Sequence, residues 1–245
     1  MTQQVKSSKK VGKHTLPKTQ TVLKHNDLLQ LTALLDNIFD CRGLNSCLVL
    51  NYRLQLFSET TYYPVDVELY ASQSHITLTQ AYNDLKELVY KFRTMSYELT
   101  LDDGSVVNSP LIYNFRYNDA FKTIEVQWTS AMIPLISGEM PKGKYHIYNA
   151  NLSKVSSKST FAMLELIDLH WYRLSREGSI VLSTETIRKA TNTLDSYSEF
   201  AELNRNIIKP ALASVLELKG VELECKGNKY AVTLRTKAIA EDISS

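Results

Sequence analysis

The stretch EFAELNRNIIKPALASVLEL, residues 199–218, carries the side chains of this chain best suited to reading a polar surface. Leu203, Ile207, Ile208, Leu212, Val215 and Leu216 recur at helical spacing, while Asn204, Arg205 and Lys209 fall mainly on the other side. Amide and guanidinium groups make paired hydrogen bonds to adenine and guanine edges, so Asn204, Arg205 and Lys209 are the candidates for base readout. Pro210 interrupts the repeat, and because it lacks an N–H and its ring presses on the preceding turn, a kink is expected there. Ser198, Arg188 and Lys189, with Lys226, Asn228 and Lys229 further on, are candidate phosphate contacts, which set register but carry little sequence information.

Other constellations fall short of the chemistry they hint at. GEMPKGKY, residues 138–145, matches part of a phosphate-binding loop, but Tyr145 replaces the Ser/Thr that would hold magnesium and Pro141 removes an amide from the cradle. A nicking enzyme would need a His-X-His metal pair and a nucleophilic tyrosine on a helix. His146 and His170 have no second histidine at that spacing, and Tyr172 and Tyr197 are two of 14 tyrosines. Trp128 and Trp171 are expected in the core. Cys41, Cys47 and Cys225 form no CxxC pair and no cluster with histidine, which argues against a zinc site or disulfide framework and for a reducing, cytoplasmic setting. No catalytic residue, cofactor or metal is expected, and the chain is read as a non-enzyme.

The elements that would position the candidate residues follow from periodicity and charge. The 245 residues are 44% hydrophobic and 22% charged, ordinary for a globular protein, and no apolar run approaches a membrane span. MTQQVKSSKK has lysines without an apolar core behind them, unlike a secretory signal. Residues 1–24 carry six lysines and no acid. Residues 25–150 hold 9 basic and 14 acidic side chains and 151–237 hold 13 basic and 10 acidic, so a net charge of +2 conceals a basic start and an acidic first half. The start is read as a flexible arm able to touch phosphates without regard to sequence.

HNDLLQLTALLDNIF predicts one helix, capped by Asn26 or Asp27, and TLTQAYNDLKELVYKFR a second, capped by Thr77 or Thr79. Residues 46–57 and 63–70 fit strand or buried helix equally. Alternation from Tyr97 onward, with Asp103-Gly104 as the turn, predicts a β-hairpin extended by a third strand. Gly, Pro, Ser and Lys cluster over 137–160 around a short strand, YHIYNA, and mark the boundary. Then STFAMLELIDLHWYRLS, LSTETIRKATN and YSEFAELNRNIIKPALASVLEL predict three helices, closed by strands at about 221–226 and 229–236. The expected architecture is α+β, two tandem winged-helix domains, each of helices followed by a β-hairpin wing. The divisions are an arm (1–24), a first domain (25–136), a linker (137–158), a second domain (159–238) and a tail (239–245). In a winged helix the third helix lies in a DNA groove and the hairpin touches backbone beside it.

The order of several short motifs resembles the iteron-binding initiator proteins of theta-replicating bacterial plasmids. TVLKHNDLLQL looks like that family's basic leader and opening helix, TLTQAYNDLKEL its first long helix, and WTSAMIPLISG the exit from its first domain. SSKSTFAMLELIDLHWYR is similar to the first helix of its second domain, and FAELNRNIIKPALASV to its recognition helix. Leu164, Glu165 and Leu166 stand where the family commonly has Arg-Leu-Tyr. Ala201, Glu202, Leu203 and Asn204 follow Phe200 where two or three basic residues are usual, which shifts the burden to amides, wing and arm. The resemblance implies binding to origin repeats in double-stranded DNA and initiation of replication. It also implies repression of the protein's own gene by a homodimer joined through the first domain, with a host initiator and replicative helicase as further partners. DNA contact by the first domain would use Lys86, Lys91 and Arg93. A transcriptional repressor or phage regulator on the same fold is the alternative.

Overall fold

The computed structural model describes residues 21–25, 29–54, 58, 60–100, 104–137, 145–149 and 153–237. Strand β1 (Thr21–His25) pairs antiparallel with β7 (Tyr145–Asn149), so residues 21–24, expected in the arm, belong to a sheet that returns to the middle of the chain. The predicted opening helix is two pieces, α1 (Leu29–Leu34) and α2 (Ile38–Leu54). The break is chemical: the Asn37 side chain accepts from the Asp40 amide at 3.0 Å and the Asp40 carboxylate from the Asp36 amide at 3.0 Å, so the carboxamide caps a new helix where the periodicity ran on. Asn26 and Asp27 lie outside the described residues.

The ambiguous stretches resolve as the end of α2, a two-residue strand β2 (Tyr63–Pro64) and α3 (Val67–Ser74). Helix α4 (Leu78–Thr94) is capped by Thr77, whose hydroxyl accepts from the Gln80 amide at 3.2 Å, and it buries Ala81, Leu85, Leu88, Val89 and Phe92 as its spacing predicts. Gly43 lets it come close: a Cβ there would lie 2.0 Å from Leu88 Cδ2. The predicted three-strand run is instead two hairpins. Strands β3 (Ser96–Thr100) and β4 (Val106–Pro110) form one, with Gly104 at φ +82°, while β5 (Ile112–Asn118) and β6 (Thr123–Trp128) join β2 in a separate sheet of order β2-β6-β5. Leu111 and Trp128, fully buried at the junction, explain the division, because the chain turns into the core between β4 and β5. A short helix α5 (Ile133–Ser137) ends this half.

In the second half, the first predicted helix bends at His170 into α6 (Lys158–Leu169) and α7 (Trp171–Glu177). Strand β8 (Ser179–Ser183), not anticipated, precedes α8 (Thr184–Ala190), whose N-cap Ser183 accepts from the Thr186 amide at 2.9 Å. The long third helix runs from Phe200 to Lys219, and β9 (Leu223–Gly227) and β10 (Ala231–Thr236) form the hairpin in a sheet of order β8-β10-β9. The halves meet through α1 against α6. Thr32 donates to buried Glu165 at 2.5 Å, Lys158 to the Leu35 and Ala33 carbonyls at 2.6 and 3.2 Å, and Arg42 to the Val155 carbonyl at 3.1 Å.

Among the described residues no helix is long and apolar enough to cross a membrane, and no group of three or more potential metal ligands comes together. Cys41 and Cys47 are buried thiols and Cys225 is half-buried, and among the described residues none of the three is in a disulfide. The α4 stripe carries much of the first half's core. Phe92→Ala should lower its stability by about 3–5 kcal/mol, read as a shifted urea midpoint, whereas loss of the single cap hydroxyl in Thr77→Ala should cost about 1 kcal/mol.

Candidate nucleic-acid interface

The third helix of the second half is not a uniform α-helix. It begins as α9 (Phe200–Leu203), opens into a π-helical turn over Asn204–Ile208 and continues as α10 (Lys209–Lys219). The Lys209 amide donates five residues back, to the Asn204 carbonyl. Pro210 supplies the reason: in an α-helix its ring would press on the Asn206 carbonyl, which would also lose its donor, and a widened turn relieves the contact. The expected kink is thus met by one extra residue in a turn.

The widened turn decides which side chains face outward. Leu203, Ile207, Ile208, Ala211, Leu212 and Val215 are buried, and Arg205, Asn206 and Lys209 are exposed. Asn204 is half-buried, and its Oδ1 is enclosed with no hydrogen-bond partner among the described residues. Asn206, which periodicity did not single out, therefore holds the exposed amide beside Arg205. The signal was present in the sequence as the four-residue spacing from Asn206 to Pro210, which marks the carbonyl that a proline displaces.

The wing stands beside this helix. Lys226, Asn228 and Lys229 are all exposed at its tip, and Asn228 Oδ1 accepts from the Tyr230 and Ala231 amides at 2.8 and 3.1 Å. Tyr230, also missed from sequence, is 71% exposed, with the Lys229 ammonium 4.9 Å from its ring. The Thr184 hydroxyl donates to the Asn228 carbonyl at 2.9 Å, tying the wing to the start of α8. Gly227 packs the wing on the helix: a Cβ there would lie 2.8 Å from the Ala231 carbonyl oxygen and 2.9 Å from Phe200 Cζ. At the far end of the helix Lys219 pairs with Asp168 on α6 at 2.8 Å and lies 4.5 Å from the Trp171 ring. Burial pushes the Asp168 carboxyl above its ordinary range, against the pull of Lys219.

The remaining candidates divide by what already holds them. Ser198 is exposed just before the helix. Lys189 pairs with Glu185 at 2.7 Å on the surface of α8, where the ammonium holds the Glu185 carboxyl below its usual range. Arg188 is half-buried and turned onto the neighbouring loop, donating to the Ser196 carbonyl at 2.5 Å, Ser198 at 3.2 Å, Thr193 at 3.5 Å and also Tyr197. On α4, Lys86 pairs with Asp119 at 3.0 Å and sits 3.8 Å from the Tyr117 ring. Lys91 bonds Asp40 at 2.5 Å and also Asp36; burial disfavours its charge, but those carboxylates outweigh it and raise its pKa. Arg93 alone of the three is exposed with no ion pair among the described residues. GEMPKGKY falls outside the described residues up to Tyr145. Tyr172 is exposed and accepts from Arg176 at 2.5 Å, and Tyr197 is half-buried at φ +53°. The two are not joined by a histidine pair among the described residues.

Two sets of helices, each closed by a hairpin, with the third helix of the second set exposing a polar ridge beside its wing, define a tandem winged-helix protein. The same fold is found in the crystal structure of the Pi initiator protein in complex with iteron DNA, which superposes over 90% of this chain and 98% of that one with a TM-score of 0.68 at 17% identity. The WH1 domain of a replication protein isolated from a multiple sclerosis patient aligns with 46% of this chain and 91% of its own, at a TM-score of 0.37 and 20% identity. No family model and no curated protein matches the sequence.

The contact at Gly227 should be measurable. Gly227→Ala must push the wing off Phe200 or strain the Ala231 carbonyl, and should destabilise the second domain by about 1–3 kcal/mol in a urea titration.

Proposed function

We propose that the chain is a replication initiator that binds repeated sites in double-stranded DNA and has no catalytic chemistry of its own. The observation that carries this reading is the exposed ridge of Arg205, Asn206 and Lys209 beside a wing bearing Lys226, Asn228 and Lys229, on a fold shared over 90% of the chain with an initiator solved on iteron DNA. Arg205 and Asn206 would read base edges in the major groove. Lys209, Ser198 and the wing would fix register on phosphates, and the half-buried Asn204 would support the ridge from behind. In the first domain Arg93 is the cation best placed to reach phosphate, because Lys86 and Lys91 are held by carboxylates.

The reading extends to a homodimer joined through the first domain that represses the protein's own gene, and to contacts with a host initiator and helicase. Support for the dimer comes from Tyr90, Tyr113, Tyr117 and Phe121, exposed on α4, β5 and the β5–β6 turn. Strand β5 is an edge of its sheet among the described residues. Exposed aromatics beside an open strand edge favour self-association over solvation. The protein would act in the bacterial cytoplasm, associated with nucleoid or plasmid.

Duplexes selected from a randomised pool, competed against random duplex over a salt series, test the DNA reading. Selected duplex should bind at least ~1000-fold tighter, and Arg205→Ala and Asn206→Ala should each erode that preference by about 1–3 kcal/mol. Equal, steeply salt-dependent affinity for both duplexes would overturn it. Tyr113→Lys should weaken self-association about tenfold or more in sedimentation equilibrium if the β5 face joins the dimer. An unchanged dimer would place the interface elsewhere.

A further inference from the structure

We propose that Arg188 is a positioning residue that fixes the start of the reading helix, and that it does not contact phosphate; the inference rests on the assignment of α9–α10 as that helix. Arg188 lies in the last turn of α8, and its guanidinium reaches across to the loop leading into α9. Nη1 donates to the Thr193 and Ser196 carbonyls and Nη2 to those of Tyr197 and Ser198. A guanidinium has five N–H groups, so four are spent on one loop and only Nε–H remains. A phosphate contact of the paired kind would need the fork that the loop already occupies.

The loop needs such a clamp. Its path passes through left-handed backbone at Asn192 (φ +52°), where Asn is at ease, and at Tyr197 (φ +53°), where a bulky side chain makes it costly. The Glu199 side chain makes no capping bond to α9, so the helix start is not anchored by its own N-cap. Four carbonyls gathered on one cation hold both the strained path and the position of Phe200, five residues before Arg205. Side chains that read base edges tolerate displacements of only about 0.5 Å, so a loosened start would misplace Arg205 and Asn206 even with both intact.

Lysine preserves the charge at this position but not the fork, because its single nitrogen cannot span four carbonyls. Arg188→Lys and Arg188→Met in the full chain therefore separate the two roles. Amide exchange in the free protein should quicken about tenfold or more over Ser198–Leu203 in both variants, given the strength of bonds from a charged donor, while α4 stays protected. The preference for wild-type-selected over random duplex should fall at least ~10-fold in both, with the salt slope of binding unchanged. The opposite pattern overturns the proposal: Lys behaving as wild type, with Met lowering the slope by about 0.9 on both duplexes, is the mark of a lost phosphate contact. Unchanged exchange at Ser198–Leu203 in Arg188→Met also overturns it. Equal binding of both duplexes by the wild-type chain would sink the reading of α9–α10 itself, and the exchange data would still decide whether Arg188 orders the loop.

Discussion

A single missing N–H, that of Pro210, governs the surface this protein presents. Without that donor the helix cannot keep its α pitch past Asn206, and the turn opens by one residue between Asn204 and Ile208. Every side chain upstream is rotated by that insertion relative to those downstream. Leu203 and Ile207 still reach the core with Ala211 and Val215, so the insertion is absorbed on the buried side without a gap in the stripe. The cost falls on Asn204, whose Oδ1 is enclosed without a partner among the described residues, and the gain is an exposed amide at Asn206 next to Arg205.

A helix so shaped is useful only if it is held still, and its supports come from all sides. Arg188 binds the loop before it, Gly227 brings the wing against Phe200, and Lys219 ties its end to Asp168. The inner face packs on α6, which also carries Glu165 and Lys158 to the other half of the molecule. The junction between halves therefore adds buried hydrogen bonds, costly when broken, to an apolar core that runs through both halves. Placement of the second domain's ridge is mechanically connected to the first domain through α6 and α8, both of which pack against α1.

Charge alone would mislead about where DNA could touch. The first half is acidic overall, and two of the three cations on α4 are neutralised by Asp36, Asp40 and Asp119. Those pairs join α4 to its neighbours. On the second half four of the exposed cations, Arg205, Lys209, Lys226 and Lys229, lie together on the helix and wing, where a weak net charge becomes a local one.

Much was legible in the sequence because it is local. The α4 stripe and its Thr77 cap, the Ser183 cap of α8, the turn at Gly227-Asn228 and the helix–hairpin order, twice repeated, all follow from period and capping chemistry within a few residues. What the sequence could not decide depends on partners distant in the chain. Strand β1 needs β7 more than a hundred residues away, and β8 is a strand only because β10 pairs with it. The guanidinium of Arg188 looks identical in sequence whether it meets a phosphate or four carbonyls. Residue types and periodicity determined by themselves that two helix-and-wing units exist and that a proline sits in the third helix of the second. Only the tertiary structure decided which amide that proline exposes and which cations remain free, because both depend on what fills the space around each side chain.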